Sequence, residues 1–210
     1  MNVEAELRRV ERGPLRRVAA WRPGWVRRCV PVVEEAAERS TLWWGAALAI
    51  AAVGGMRGKR AALAGLSAMA ISEILLNAVV KPLWERRRPP KEFIPHDDVD
   101  DRPDSSSFPS GHTAAAFGFT ATVGVAWPAA GAVCALPAVA VGVQRVHSGA
   151  HYPSDVAAGA VIGAIGARAG LPAAAPAAQG DLVNGLCQCC RTGVPAPRDG
   201  TRAVLKAEGC

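Results

Sequence analysis

Between residues 41 and 170 the chain is a succession of apolar runs separated by short polar breaks, and on either side of that window it is polar. The runs cover 41–55, 61–80, 113–127, 129–143 and 155–170 and are rich in Ala, Val and Gly. A bilayer core requires about 20 apolar residues in a helix. The run 61–80 meets this with 20 residues, and 41–55 reaches it with the flank from Ala36. The pattern therefore predicts an all-α integral membrane helical bundle of about five spans, with six as the alternative count. Pro128 ends the third run, Pro153 sits where a helix start tolerates proline, and Gly159 and Gly163 carry the small-xxx-small spacing of closely packed helices. Counting turns puts the polar segments 81–112 and 144–154 on the same side of the bundle.

The flanks divide the chain into three parts. Residues 1–40 form a basic, partly helical segment in which Arg8, Arg9, Arg12, Arg16 and Arg17 precede Trp21-Arg22-Pro23-Gly24-Trp25, a composition suited to a membrane interface. Residues 41–171 form the membrane-embedded part, and 172–210 read as a disordered Pro/Ala/Gly-rich tail. The tail holds Cys187, Cys189, Cys190 and Cys210, which lack the paired spacing of a zinc site. No cleavable signal peptide is visible. Of 210 residues, 50% are hydrophobic and the net charge is +6. The arginines lie outside the apolar runs, so the charge points to membrane lipids and an anionic lipid substrate, not to nucleic acid. The loop with Asp97, Asp98, Asp100, Asp101 and Asp104 lacks the ordered pattern of a calcium loop and reads as solvated.

Polar residues at the run ends carry the candidate chemistry. Glu73, Asn77 and Lys81 are spaced by four and share one helix face, either directed at the first polar loop or, for Glu73, paired with a neighbouring helix. Lys81, Arg88 and Arg145 are three cations at run ends, and arginine forks match phosphate oxygens. Ser110 and the amides of Gly111 and His112 open the third run, and a helix start is an anion site. Asp155 follows His151 by four residues, where a carboxylate can orient an imidazole as nucleophile. His112 can then give a proton to the leaving oxygen. The set supports phosphoryl transfer to histidine and then to water, with no metal and no cofactor. Taken alone, the stretch Glu85-Arg86-Arg87-Arg88 reads as a headgroup anchor, and His96 and His147 receive no role.

Taken together, Lys81-x6-Arg88-Pro89, Pro109-Ser110-Gly111-His112 and Arg145-x5-His151-x3-Asp155 resemble the three-part signature of the type 2 phosphatidic acid phosphatase (PAP2) superfamily. The resemblance covers roughly residues 40–170. It implies a bundle whose core is similar to that of the vanadium haloperoxidases, with His151 as nucleophile, Asp155 orienting it, and His112 as acid. Lys81, Arg88, Ser110, Gly111 and Arg145 would hold the phosphate. Gln144 departs from the Ser usual before the third-motif arginine. The expected function is hydrolysis of a lipid phosphate in the cell membrane, either phosphatidic acid-like or a polyprenyl mono- or diphosphate. A soluble haloperoxidase-like enzyme and a non-catalytic lipid-binding scaffold are the alternatives. Positive-inside counting places the motif side in the cytoplasm, whereas the resemblance implies an outward-facing site.

Overall fold

The computed structural model describes residues 3–38, 40–95 and 105–174. The aspartate-rich segment 97–104, His96 and the tail cysteines lie outside them. The described chain is all-α, with α1 (Val3–Ala20), α2 (Gly24–Glu38), α3 (Thr41–Val53), α4 (Gly55–Leu75), a π turn (Leu76–Val80), α5 (Lys81–Leu83), α6 (Gly111–Ala126), α7 (Pro128–His147) and α8 (Pro153–Ala174). A 3-10 turn, Lys91–Phe93, lies in the loop after α5.

The centre is α6, which packs on α4, α7 and α8. It can be central because its buried face is built from small residues: Ala114, Ala115, Ala116 and Gly118, followed by Phe119 and Val123. A Cβ on Gly163 would collide with the Ala114 carbonyl, and one on Gly118 would stand 2.8 Å from Ser72 Oγ. The backbones of α6 and α8 thus approach as closely as the expected small-residue spacing implies. Trp43 of α3 fills the other side against Phe119, with ring centroids 5.4 Å apart. Across α3, α4, α7 and α8 the outward faces carry exposed Trp44, Leu48, Leu63, Ile74, Val133, Leu136, Val161 and Ile165. An apolar outer surface on an apolar core suits lipid as the surrounding solvent.

Among the described residues, two helices are long and apolar enough to cross a membrane: the continuous stretch Gly55–Leu83, of 29 residues, and Pro128–His147, of 20. The first expected span is only the 13-residue α3, which at 1.5 Å per residue covers about 20 Å of a core about 30 Å thick.

Several boundaries differ from the sequence expectation. Arg57, Lys59 and Arg60, in the polar break between the first two apolar runs, lie inside α4. The turn itself is Gly54–Gly55, where Gly55 has φ +54° and a Cβ on Gly58 would strike the Ile50 carbonyl. The expected loop 144–154 is shorter, because α7 continues through Gln144, Arg145, Val146 and His147. The polarity of Gln144, Arg145 and His147 ends the hydropathic run, yet all four residues are buried in a helix. Residues 1–40, expected to be partly helical, form two helices broken at Trp21-Arg22-Pro23. On α1, Glu11, Leu15 and Ala19 share one face and are buried, with Leu15 and Ala19 packed against Ile94, Val146 and Tyr152.

The π turn has a local cause. In α geometry the ring of Pro82 would meet the carbonyl of residue 78, and the widened turn spans that position. It ends at Lys81 and brings Asn77 and Lys81 to one cavity.

Candidate active site

At the end of the bundle where α5, the start of α6 and the α7–α8 loop meet, a cavity of about 880 Å³ is lined by Lys81, Arg88, Gly111, His112, Arg145 and His151. Glu73 and Asn77 also line it, so the polar stripe expected on α4 does reach this cavity. The three sequence segments, distant in the chain, therefore share one space.

Two expected residues stand back from that space. Ser110 is fully buried, with its hydroxyl 2.9 Å from Thr113 Oγ1, while its amide donates to the Asp155 carbonyl at 3.0 Å. Its backbone ties α6 to α8, through that amide and because Gly159 lets the Ser110 carbonyl lie directly against α8. Asp155 is also fully buried. Its Oδ2 lies 3.9 Å from His151 Nδ1, close enough for charge to act but beyond hydrogen-bond range, so no direct hydrogen bond joins the two.

Ser107 takes that place. His151 Nδ1 lies 2.6 Å from the Ser107 carbonyl oxygen. A carbonyl only accepts, so Nδ1 carries the proton and Nε2 keeps its lone pair. The Ser107 hydroxyl donates to Asp155 Oδ2 at 2.8 Å, and the Tyr152 amide donates to the same oxygen at 2.8 Å. Asp155 thus holds the loops that hold His151. Burial, with the nearby Arg88, Arg145 and His112 charges, pushes the His151 imidazole down to about 3, only partly opposed by the Ser107 carbonyl. At neutral pH the ring is uncharged, the state a nucleophile requires.

The cations are held by backbone and acid groups. Arg88 donates from Nη1 to the Ala150 carbonyl at 2.9 Å and from Nε to the Ser105 carbonyl at 3.2 Å. Arg145 Nη2 stands 3.9 Å from Glu34 of α2. The His151 amide donates to the Arg145 carbonyl at 3.1 Å, coupling the two residues through the backbone.

Arg86 corrects the sequence reading. It is no headgroup anchor: its side chain is 2% exposed and bonds Asp155 Oδ1 from Nη1 at 2.5 Å and Glu11 Oε2 from Nη2 at 2.6 Å. Its guanidinium lies 4.2 Å from the centre of the Tyr152 ring. Burial works against its charge, but Glu11 and Asp155 outweigh that and raise its pKa. Arg86, Ser107 and Glu11 are the site residues that sequence reasoning missed. For Glu11 a signal existed: it lies four residues before Leu15 and eight before Ala19, on the same helix face.

The sequence profile of the PAP2 superfamily matches residues 61–175, more than half of the chain. This chain belongs to the PAP2 superfamily. A curated relative, the bacitracin transport permease protein BcrC of Bacillus licheniformis, is 42% identical over 62 residues, which are 30% of this chain and 30% of the relative. Among solved structures, a transmembrane PAP2-type phosphatidylglycerolphosphate phosphatase from Bacillus subtilis superposes with a TM-score of 0.57 at 19% identity, covering 92% of this chain and 90% of that one. LpxE of Aquifex aeolicus, 22% identical, covers 82% and 96% with a TM-score of 0.48. The all-α fold of the Bacillus subtilis enzyme is therefore the fold of this chain, a member of the PAP2 superfamily.

Proposed function

We propose that this PAP2-family protein hydrolyses a lipid phosphate, phosphatidic acid-like or polyprenyl mono- or diphosphate, at the cell membrane through a phosphohistidine on His151 and without a metal. The observation that carries this reading is one cavity lined by His151, His112, Lys81, Arg88 and Arg145 at the end of an apolar bundle. In the first step Nε2 of His151 bonds phosphorus as the P–O bond to the lipid breaks, and His112 protonates the leaving oxygen. Lys81, Arg88, Arg145 and the Gly111 amide offset charge on the phosphoryl oxygens in transit. In the second step His112 takes a proton from water, the water oxygen bonds phosphorus, and the P–N bond breaks to release phosphate. The neutral His151 ring, with its proton on Nδ1, supports the first step directly.

The test is phosphate release by purified protein in detergent from phosphatidic acid, phosphatidylglycerolphosphate, and polyprenyl mono- and diphosphate. Activity on at least one, abolished by His151→Ala and unchanged by EDTA, is expected, with acid-stable label absent and base-stable phosphohistidine present after quenching. Undiminished turnover in His151→Ala would refute the mechanism.

A further inference from the structure

A chain of three charges runs from α1 to the loop of the proposed nucleophile. Glu11 of α1 divides its carboxylate: Oε2 accepts from Arg86 Nη2 at 2.6 Å and Oε1 accepts from the Ser154 amide at 2.7 Å. Arg86 passes Nη1 to Asp155 at 2.5 Å and also to Ser154 Oγ at 2.7 Å. The side chains of Glu11, Arg86 and Asp155 are 8%, 2% and 0% exposed.

The count of charges gives the arrangement its meaning. Arg86 with Asp155 alone would be a neutral pair, and a second buried carboxylate adds a desolvation cost that a purely structural pair would not need. With Glu11 the group is net negative, and the end facing His151 is Asp155. When His151 Nε2 bonds phosphorus, the ring keeps its Nδ1 proton and becomes cationic beside the Ser107 carbonyl. A net negative group 3.9 Å from Nδ1 stabilises that cation, whereas a neutral pair does so far less.

We infer that Glu11 is a positioning residue of the phosphatase site: from α1 it neutralises Arg86, leaves the charge of Asp155 to the phosphorylated imidazole, and fixes the first turn of α8 through Ser154. The inference rests on the proposed phosphohistidine reading. It makes α1 a working part of the site although none of its residues lines the cavity.

The experiment compares full-length wild type, Glu11→Gln, Glu11→Asp and Leu15→Ala in detergent, reading kcat, KM, the thermal midpoint and inhibition by orthovanadate, which mimics the trigonal phosphoryl group. Leu15 is a fully buried apolar residue on the same face of α1, so Leu15→Ala loosens the helix without touching a charge. In Glu11→Gln, kcat falls about 10- to 100-fold, the worth of one unit charge near the reacting group at an intermediate dielectric. KM stays within about twofold, orthovanadate inhibition weakens in parallel with kcat, and Glu11→Asp regains part of the loss. Leu15→Ala lowers the thermal midpoint but keeps kcat. Unchanged kcat in Glu11→Gln, or loss of kcat in Glu11→Gln and Leu15→Ala alike in step with the midpoint, overturns the inference while leaving the phosphatase reading intact. A wild type that releases no phosphate from any lipid phosphate overturns both.

Discussion

Replacing Arg86 with Met while leaving Arg87 intact, and the reverse, separates two adjacent arginines that are chemically identical. Arg86→Met keeps side-chain length and apolar stem but removes the guanidinium between Glu11 and Asp155, both buried. Breaking a buried ion pair by removing one partner costs about 3–5 kcal/mol, because the remaining charge stays desolvated or must take up a proton. Here two carboxylates are left, and each also loses a charge-assisted hydrogen bond. Arg87 is exposed, and its replacement should fall within about 0.5 kcal/mol. At about 2–4 °C per kcal/mol for a chain of this size, Arg86→Met should lower the unfolding midpoint by roughly 6–20 °C and Arg87→Met by at most ~2 °C. Thermal unfolding in detergent, followed by tryptophan fluorescence, measures both. Arg86→Lys, with one point charge where the fork bridges two partners, should lie between. Equal midpoints for Arg86→Met and Arg87→Met would refute the assignment of Arg86 to the interior.

Gly159→Ala should lower the unfolding midpoint and the phosphatase activity together, because the new Cβ strikes the Ser110 carbonyl and stands 3.2 Å from Thr113 Cβ; overpacking of this kind costs about 1–3 kcal/mol, and a normal midpoint would count against the close α6–α8 contact. Lowering the pH from 6.5 toward 3 should destabilise the protein, because unfolded His151 takes up a proton near 6.5 and the folded residue only at about 3. Stability from this group is complete above 6.5 and is lost through that window with a slope of up to about 1.4 kcal/mol per pH unit; His151→Ala should flatten that part of a chemical-denaturation pH profile. Gln144→Leu should raise the unfolding midpoint, since Gln144 is 1% exposed and neither amide atom has a hydrogen-bond partner among the described residues. Exchanging an unsatisfied buried amide for an apolar group of similar size gains about 1–2 kcal/mol, and a lowered midpoint would show that the amide is satisfied.

The residues that reach the cavity were legible because their chemistry and their placement coincide. Lys81, Arg88, His112, Arg145 and His151 are polar residues at the ends of apolar runs, where a bundle has its loops, and run counting brings those ends together. What escaped were residues whose role depends on the path of a loop. Nothing in Arg86-Arg87-Arg88 tells the interior arginine from the exposed one. The path does: the Ser107 amide bonds the Arg86 carbonyl at 2.9 Å and the Arg86 amide bonds Ser106 Oγ at 3.1 Å, which turns the Arg86 side chain inward and its neighbour outward. The end of α7 escaped for a different reason. Hydropathy falls at Gln144, but helical hydrogen bonding continues, because a buried polar turn at the site replaces contact with lipid.

Asp155 shows how spacing can identify a residue and misplace its action. A carboxylate four residues after His151 is in reach of the ring only if both lie on one helical turn, and here α8 begins between them, at Pro153. The segment before it is loop, with the Tyr152 amide on Asp155 Oδ2 and the Ser110 amide on the Asp155 carbonyl. Asp155 therefore acts as a knot joining α8, the start of α6 and the loop carrying Ser107. The tautomer of His151 is set by a backbone carbonyl, which no side-chain motif encodes. The carboxylate contributes charge and fixes the loop, and the sign and size of that charge depend on Arg86 and, through it, on a helix outside the matched family segment. The family signature marks the residues proposed to meet phosphate. The electrostatics that would make His151 the proposed nucleophile are distributed over residues that the signature leaves blank.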